Sequence, residues 1–220
     1  MEVAGGSLAD LTLAEFAERL ASDEPVPGGG SAAAVVGSFA ASLLAMVARL
    51  SMDRPKYEPY GATHRRAVEH AERARRRLLE LADEDARAYS RFSAALKLPK
   101  ETEEQQHQRT GAVREAARQA SEVPLAVARE CVRLLGEIEA LAGRSNVNAA
   151  SDLEVAARLS AAAGRGATAN VLVNLPHVGD QRFVGGSTAE VEDLLHNLER
   201  LVPQIVQRVV RGGLRAPESE

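Results

Sequence analysis

The chain has 220 residues, 45% of them apolar and 26% charged, and a formal net charge of −4, which excludes a global electrostatic pull toward nucleic acid or an anionic membrane surface. Aromatics amount to 3% with no Trp, while Ala, Leu, Glu and Arg dominate, so an all-α fold is expected in place of a β-sandwich or barrel. Cys131 is the single cysteine, which forbids an intrachain disulfide; Met1–Ala9 has no signal-peptide pattern, and a reducing, cytoplasmic setting is expected.

In chain order, Thr12 with Glu15 has the spacing of a reciprocal capping box and opens a predicted helix over 13–22. The connection "EPVPGGG" (24–30) then leads into a run of small apolar residues, read as a helix over 31–52. Within it Ala33, Gly37, Ala41 and Ala45 recur every four residues, beside a row of Ala34, Ser38 and Ser42. Small residues on one face predict a seam where another helix, of this chain or of a second copy, approaches closely. The charge-free stretch 32–48 falls short of the ~20 apolar residues of a membrane span, so a buried core helix is expected and no membrane. Gly28, Gly29 and Gly30 fit either a tight turn with Ser31 as helix cap or a cradle of backbone amides at a helix N-terminus. They match neither the phosphate-binding loop ending in Gly-Lys-Ser/Thr nor the dinucleotide fingerprint.

A third helix is predicted over 60–97. It opens with "RRAVEHAERARRR", where Glu69 with Arg73 and Glu72 with Arg76 are spaced for compensating pairs on a solvated face. Farther along, Leu78, Ala82, Tyr89, Phe92 and Leu96 form an apolar stripe, and Asp85 falls inside it while Asp83 and Glu84 fall outside. A carboxyl in apolar surroundings has its charged form disfavoured, which makes Asp85 a candidate general acid; the other role for such a residue is a buried partner of an Arg or a helix cap.

After "KLPKET" (97–102), Thr102 with Gln105 opens a helix over 103–142, which Pro124 is expected to kink or split. Cys131 lies in "PLAVARECVRLL" as a small buried hydrophobe. "GRSNVNAAS" (143–151) precedes a helix over 152–173 opened by Ser151 with Glu154, and the loop 174–186 precedes a last helix over 188–211 opened by Ser187 with Glu190. Asn148, Asn170 and Asn174 carry both donors and acceptors, as a heteroaromatic ring such as a pterin requires; turn and cap roles suit them equally, and Asp152 suits a helix dipole. The five histidines show no zinc-ligand spacing, and no metal is expected. With no internal repeat and no linker, one helical domain spans 1–220, its core about 11–210.

Taken together, "PVPGGGSAAA", "LADEDARAY", "LKLPKET", "VPLAVA", "NAASDLEVAA" and "NVLVNL", in this order, resemble the cyclodeaminase domain of formimidoyltransferase-cyclodeaminase and its free-standing bacterial relatives, some of which are methenyltetrahydrofolate cyclohydrolases. The resemblance implies a single-domain bundle of long antiparallel helices that forms a homodimer. It implies a tetrahydrofolate substrate, polyglutamylated or not, and no further cofactor, metal or nucleic acid. The reaction implied is conversion of 5-formiminotetrahydrofolate to 5,10-methenyltetrahydrofolate and ammonia, with methenyl hydrolysis or folate binding alone as alternatives. It also implies an acid in "DEDARAY", where Asp85 is the choice over Asp83 because of the stripe. Gly28, Gly29, Gly30 and Ser31 would then line the folate cleft, Lys100 would meet glutamyl carboxylates, and Asn148, Asp152, Asn170 and Asn174 would address the pterin or position the acid.

Overall fold

A computed structural model describes residues 6–217; part of the leader reading therefore rests on residues 1–5, outside the described ones. Among the described residues six α-helices, joined by loops and short 3-10 helices, build the fold: α1 (Leu13–Leu20), α2 (Gly29–Arg49), α3 (Gly61–Leu96), α4 (Glu103–Leu141), α5 (Ala150–Asn174) and α6 (Gln181–Arg211). No strand occurs among the described residues, and the all-α expectation holds.

Two of the capping boxes form as read: Thr12 and Thr102 each accept from the amide three residues on, while Glu15 and Gln105 reach back. The other helix starts differ. Gly28, not Ser31, is the N-cap of α2, and Ser31 lies inside the helix. Ser151 is likewise internal to α5, and Glu154 turns to Arg158 at 2.6 Å. α6 begins at Gln181, earlier than the Ser187 start, because the Asp180 carboxylate accepts from the amides of Arg182 and Phe183 at 3.0 and 3.2 Å. Phe183 and Val184 also pack against the core, which carries the helix through Gly185 and Gly186.

The helices run up and down in one bundle. Ser31 meets Asp85 and Arg49 meets Glu72, so α2 and α3 are antiparallel. Arg66 with Glu137 and Arg91 with Gln119 set α4 antiparallel to α3. Asn174 with Ala120 and Ser160 with Cys131 set α5 antiparallel to α4, and α6 runs parallel to α4 through Arg129–Glu190 and Arg208–Glu139. Leu44, Leu78, Leu134, Leu135, Ile138, Leu198 and Ile205 fill the centre.

The small-residue seam of α2 closes on this chain's own helices. A Cβ on Gly37 would lie 3.3 Å from Cys131 Sγ and from Leu78, so α3 and α4 both approach there. Helix α2 is long and apolar enough by composition to cross a membrane, and 61% of its most apolar window is buried within the bundle. Cys131 is fully buried, its thiol pushed up to about 12 by burial, which fits a packing role. On α3, Glu72 pairs with Arg75 and Arg76 and reaches across to Arg49 of α2, a wider network than the i,i+4 reading.

Candidate active site

Asp85 sits on α3 where the N-terminal turn of α2 crosses it. Its carboxyl is largely buried, and desolvation raises it above the ordinary carboxylate value, opposed by hydrogen bonds from the Ser31 side chain and backbone. The Ser31 hydroxyl lies 2.9 Å from Asp85 Oδ2 and 3.0 Å from the carbonyl oxygen of Ala82. One hydroxyl proton cannot serve both oxygens. With Asp85 protonated the conflict disappears: the acid donates to Ser31 Oγ, and Ser31 donates to Ala82. Desolvation shifts the carboxyl in that direction, and the geometry has room for the proton on Ser31 Oγ.

Gly30 is the third part. A Cβ built on it would overlap the Asp85 carboxyl, so only a bare backbone fits against it as it stands. The neighbouring Gly29 is close to Asn170, whose Nδ2 would lie 3.9 Å from a Cβ there. Gly29, Gly30, Ser31, Asp85 and Asn170 thus come together at one end of the bundle, with Gly28 capping α2 beside them. Asn174 is one turn beyond Asn170, but its amide donates to the carbonyls of Ala120 at 2.8 Å and Asn170 at 3.0 Å. Ala120 is four residues before Pro124, which has no N–H to offer it. Asn174 supplies the missing donor, and α4 continues unbroken through Pro124 instead of splitting.

Asp83 is engaged elsewhere. Its two oxygens accept from Ser7 Oγ at 2.6 Å and the Leu8 amide at 2.7 Å, pinning the N-terminal arm to α3. The apolar stripe is only partly buried: Leu78 and Ala82 are fully enclosed, whereas Tyr89 and Leu96 are 44% and 41% exposed. Tyr89, one turn from Asp85, borders a cavity of about 790 Å³ between the N-terminal arm and α3. Pro25, Val26 and Pro27 form another wall of it, and their strand of chain runs directly into Gly28. The sequence points to this stretch through its rigid Pro-x-Pro, although it assigns cleft roles to the glycines and Ser31 and none to Pro25, Val26 and Pro27.

Lys100 lies at the same end, exposed in the α3–α4 connection, while Lys97 lines the cavity itself. Asn148 and Asp152 do not join the group. Asn146 donates to the Leu50 carbonyl just past the far end of α2, and the 21 residues of that helix separate the two sites by about 30 Å at ~1.5 Å per residue. The side chains of Asn148 and Asp152 make no hydrogen bond or ion pair among the described residues, and Asn148 is exposed. No three His, Cys, Asp or Glu side chains converge among the described residues.

These features can be set beside known proteins. A methenyltetrahydrofolate cyclohydrolase of Methylorubrum extorquens is 37% identical, over 90% of this chain and 95% of that protein. The formimidoyltransferase-cyclodeaminase of Rattus norvegicus is 36% identical over 86% of this chain, which spans only 35% of the rat protein. A crystal structure of a formiminotetrahydrofolate cyclodeaminase from Thermotoga maritima superposes with a TM-score of 0.85 at 32% identity, covering 93% of this chain and 98% of that one. The family model described as formiminotransferase-cyclodeaminase matches residues 12–193, and the chain belongs to that family.

Proposed function

We propose that this chain converts 5-formiminotetrahydrofolate to 5,10-methenyltetrahydrofolate and ammonia, with Asp85 as proton donor. The carrying observation is the Asp85 carboxyl, held between Ser31 and the bare backbone of Gly30 in surroundings that favour its protonated form. In the reaction, N10 attacks the amidine carbon to form a C–N bond and a cyclic tetrahedral adduct. The N10 proton passes to the former imine nitrogen, Asp85 gives its own proton to the resulting exocyclic amine, that C–N bond breaks, and ammonia leaves a cationic methenyl bridge. The carboxylate left behind accepts from the Ser31 hydroxyl and amide, so the charge that forms is met by donors already in place. Positioned acid catalysis of this kind contributes about 10²–10⁴-fold, and holding N10 near the carbon contributes the rest.

The relative at 37% identity that this chain nearly spans favours a second reaction, hydrolysis of the methenyl bridge to the 10-formyl form. Presenting each folate to purified protein while following methenyl absorbance and ammonia separates the two. Absorbance rising with ammonia release supports deamination; an accelerated fall shows hydrolysis; neither change leaves a folate-binding module.

The homodimer belongs to the same reading. Along α2, Val36, Phe39, Leu43, Met46 and Leu50 recur at alternating spacings of three and four, and Phe39, Met46 and Leu50 are 42%, 36% and 41% exposed. The adjacent α5 exposes Val155, Leu172 and Val173. Two helices about 30 Å long and ~10 Å apart offer on the order of 600 Å², near the ~800 Å² per partner of a stable interface. A two-fold pairing with α2 antiparallel to its copy would bring Asn148 and Asp152 of one chain beside Asp85 of the other. The cytoplasm is the proposed location, in keeping with a lone buried thiol.

A further inference from the structure

Past α6 the chain turns back onto the bundle. Gly212 and Gly213, at φ +61° and +86°, hold backbone that favours glycine, and they reverse the chain so that Leu214–Ala216 lies across the C-terminal end of α4. The last carbonyls of that 39-residue helix are short of intrahelical donors. Arg215 supplies them: its Nη1 lies 3.2 Å from the carbonyl oxygens of Glu139 and Ala142 and 3.3 Å from Glu139 Oε1, and its amide donates to the Gly143 carbonyl at 2.7 Å.

This strap closes over the start of the α4–α5 turn, where Arg144, Ser145 and Asn146 are three consecutive polar residues, all buried. Arg144 Nε donates to the Ala216 carbonyl at 2.7 Å, and the Tyr60 hydroxyl donates to the Arg215 carbonyl at 2.6 Å, so the strap is gripped from both sides. Beyond it the turn is pegged step by step. His64 Nε2 lies 2.7 Å from the Arg144 carbonyl oxygen. The Asn146 amide donates to Ser51 Oγ at 2.7 Å, that of Val147 to the Tyr57 hydroxyl at 3.1 Å, and that of Asn148 to Asn146 Oδ1 at 3.1 Å. All of these bonds fix the backbone of the turn, and none uses the side chains of Asn148 or Asp152. A turn held this firmly with two idle polar side chains is suited to presenting them.

We propose that Arg215 is a positioning residue for the reaction: the strap fixes the α4–α5 turn so that Asn148 and Asp152 enter the cleft of the second copy. The inference rests on the shared-cleft homodimer proposed above. Arg215→Ala is expected to lower kcat by about ten- to a hundredfold, the scale of an ångström's misplacement. Helical circular dichroism and dimer mass should stay unchanged, with amide exchange faster at Asn146–Asn148 and unaltered at Ser31 and Asp85. Mixing then assigns the defect to a cleft. Refolded with Asp85→Asn, Arg215→Ala chains should regain up to about a quarter of wild-type activity, because one cleft of each mixed dimer joins a sound turn to a sound acid. Refolded with Asp152→Ala they should regain nothing, since both lesions lie in the turn. A chain damaged throughout its fold would supply no sound acid and would rescue neither. Tyr60→Phe drops one strap bond, keeps the ring and should show the same pairing at smaller amplitude, which preserves the test if Arg215→Ala does not fold. Full activity of Arg215→Ala overturns the proposal, as does rescue by Asp152→Ala or by neither chain. A control mixture of Asp85→Asn with Asp152→Ala separates the two readings. If it regains activity while Arg215→Ala behaves otherwise, the strap alone is refuted; if it regains nothing, the shared cleft is refuted and the strap's role with it.

Discussion

Ser31 ties the titration of Asp85 to both stability and turnover. Burial raises the Asp85 carboxyl, so the native chain holds that proton more tightly than the unfolded chain does. The resulting stabilisation is fully present below the unfolded value and is lost as pH rises through the raised native value. Turnover that needs the proton should fall through the same window. Asp85→Asn keeps the shape and removes the titration: the expected outcome is a flatter stability-against-pH curve, retained folate binding and a kcat lower by about 10²–10⁴-fold. Asp83→Asn should instead keep most turnover and loosen the N-terminal arm, seen as faster amide exchange near Leu8, because Asp83 holds Ser7 and Leu8. Gly30→Ala makes a complementary test. The clash falls on the end of a side chain that can rotate away, so the fold should survive with a small change in Tm while turnover collapses.

At the scale of elements, the long helices were legible because apolar periodicity and two capping boxes agreed on them, at Thr12 and at Thr102. The start of α6 was not, since Gly185 and Gly186 look like a loop until Phe183 and Val184 are seen against the core. Pro124 was read from its missing N–H alone, and the donor that makes good the loss, Asn174, is 50 residues away in sequence and could not be paired with it by spacing. Asp85 was legible because helical periodicity placed it, whereas the Gly30 contact depends on how two helices cross. The Pro124–Asn174 link makes a sharp prediction. Asn174→Ala should cost about 1–3 kcal/mol by leaving the Ala120 carbonyl without a donor. Adding Pro124→Ala restores an amide to that carbonyl, so denaturant titration of the double variant should recover much of the loss, a coupling that independent sites would not show.

For the whole molecule, the separation of Asn148 and Asp152 from Asp85 is what the proposed homodimer would bridge. Residues about 30 Å apart at opposite ends of α2 cannot grip one small substrate within a single chain. In the proposed antiparallel two-fold, each cleft would take Asp85 and its glycines from one copy and the Asn148–Asp152 turn from the other. Phe39→Glu, placed in the middle of the exposed stripe, should give a monomer by light scattering with intact helical circular dichroism and lost turnover. Mixing distinguishes a shared site from a dimer of complete ones. Asp85→Asn and Asp152→Ala chains, each inactive alone, should regain up to about a quarter of wild-type activity when unfolded and refolded together, since half the dimers are mixed and each mixed dimer holds one intact cleft. If both residues act within one chain, every cleft in the mixture carries one lesion and no activity returns. If Asp152→Ala is fully active by itself, the turn at the far end of α2 has no part in the reaction, and the two-fold serves stability alone.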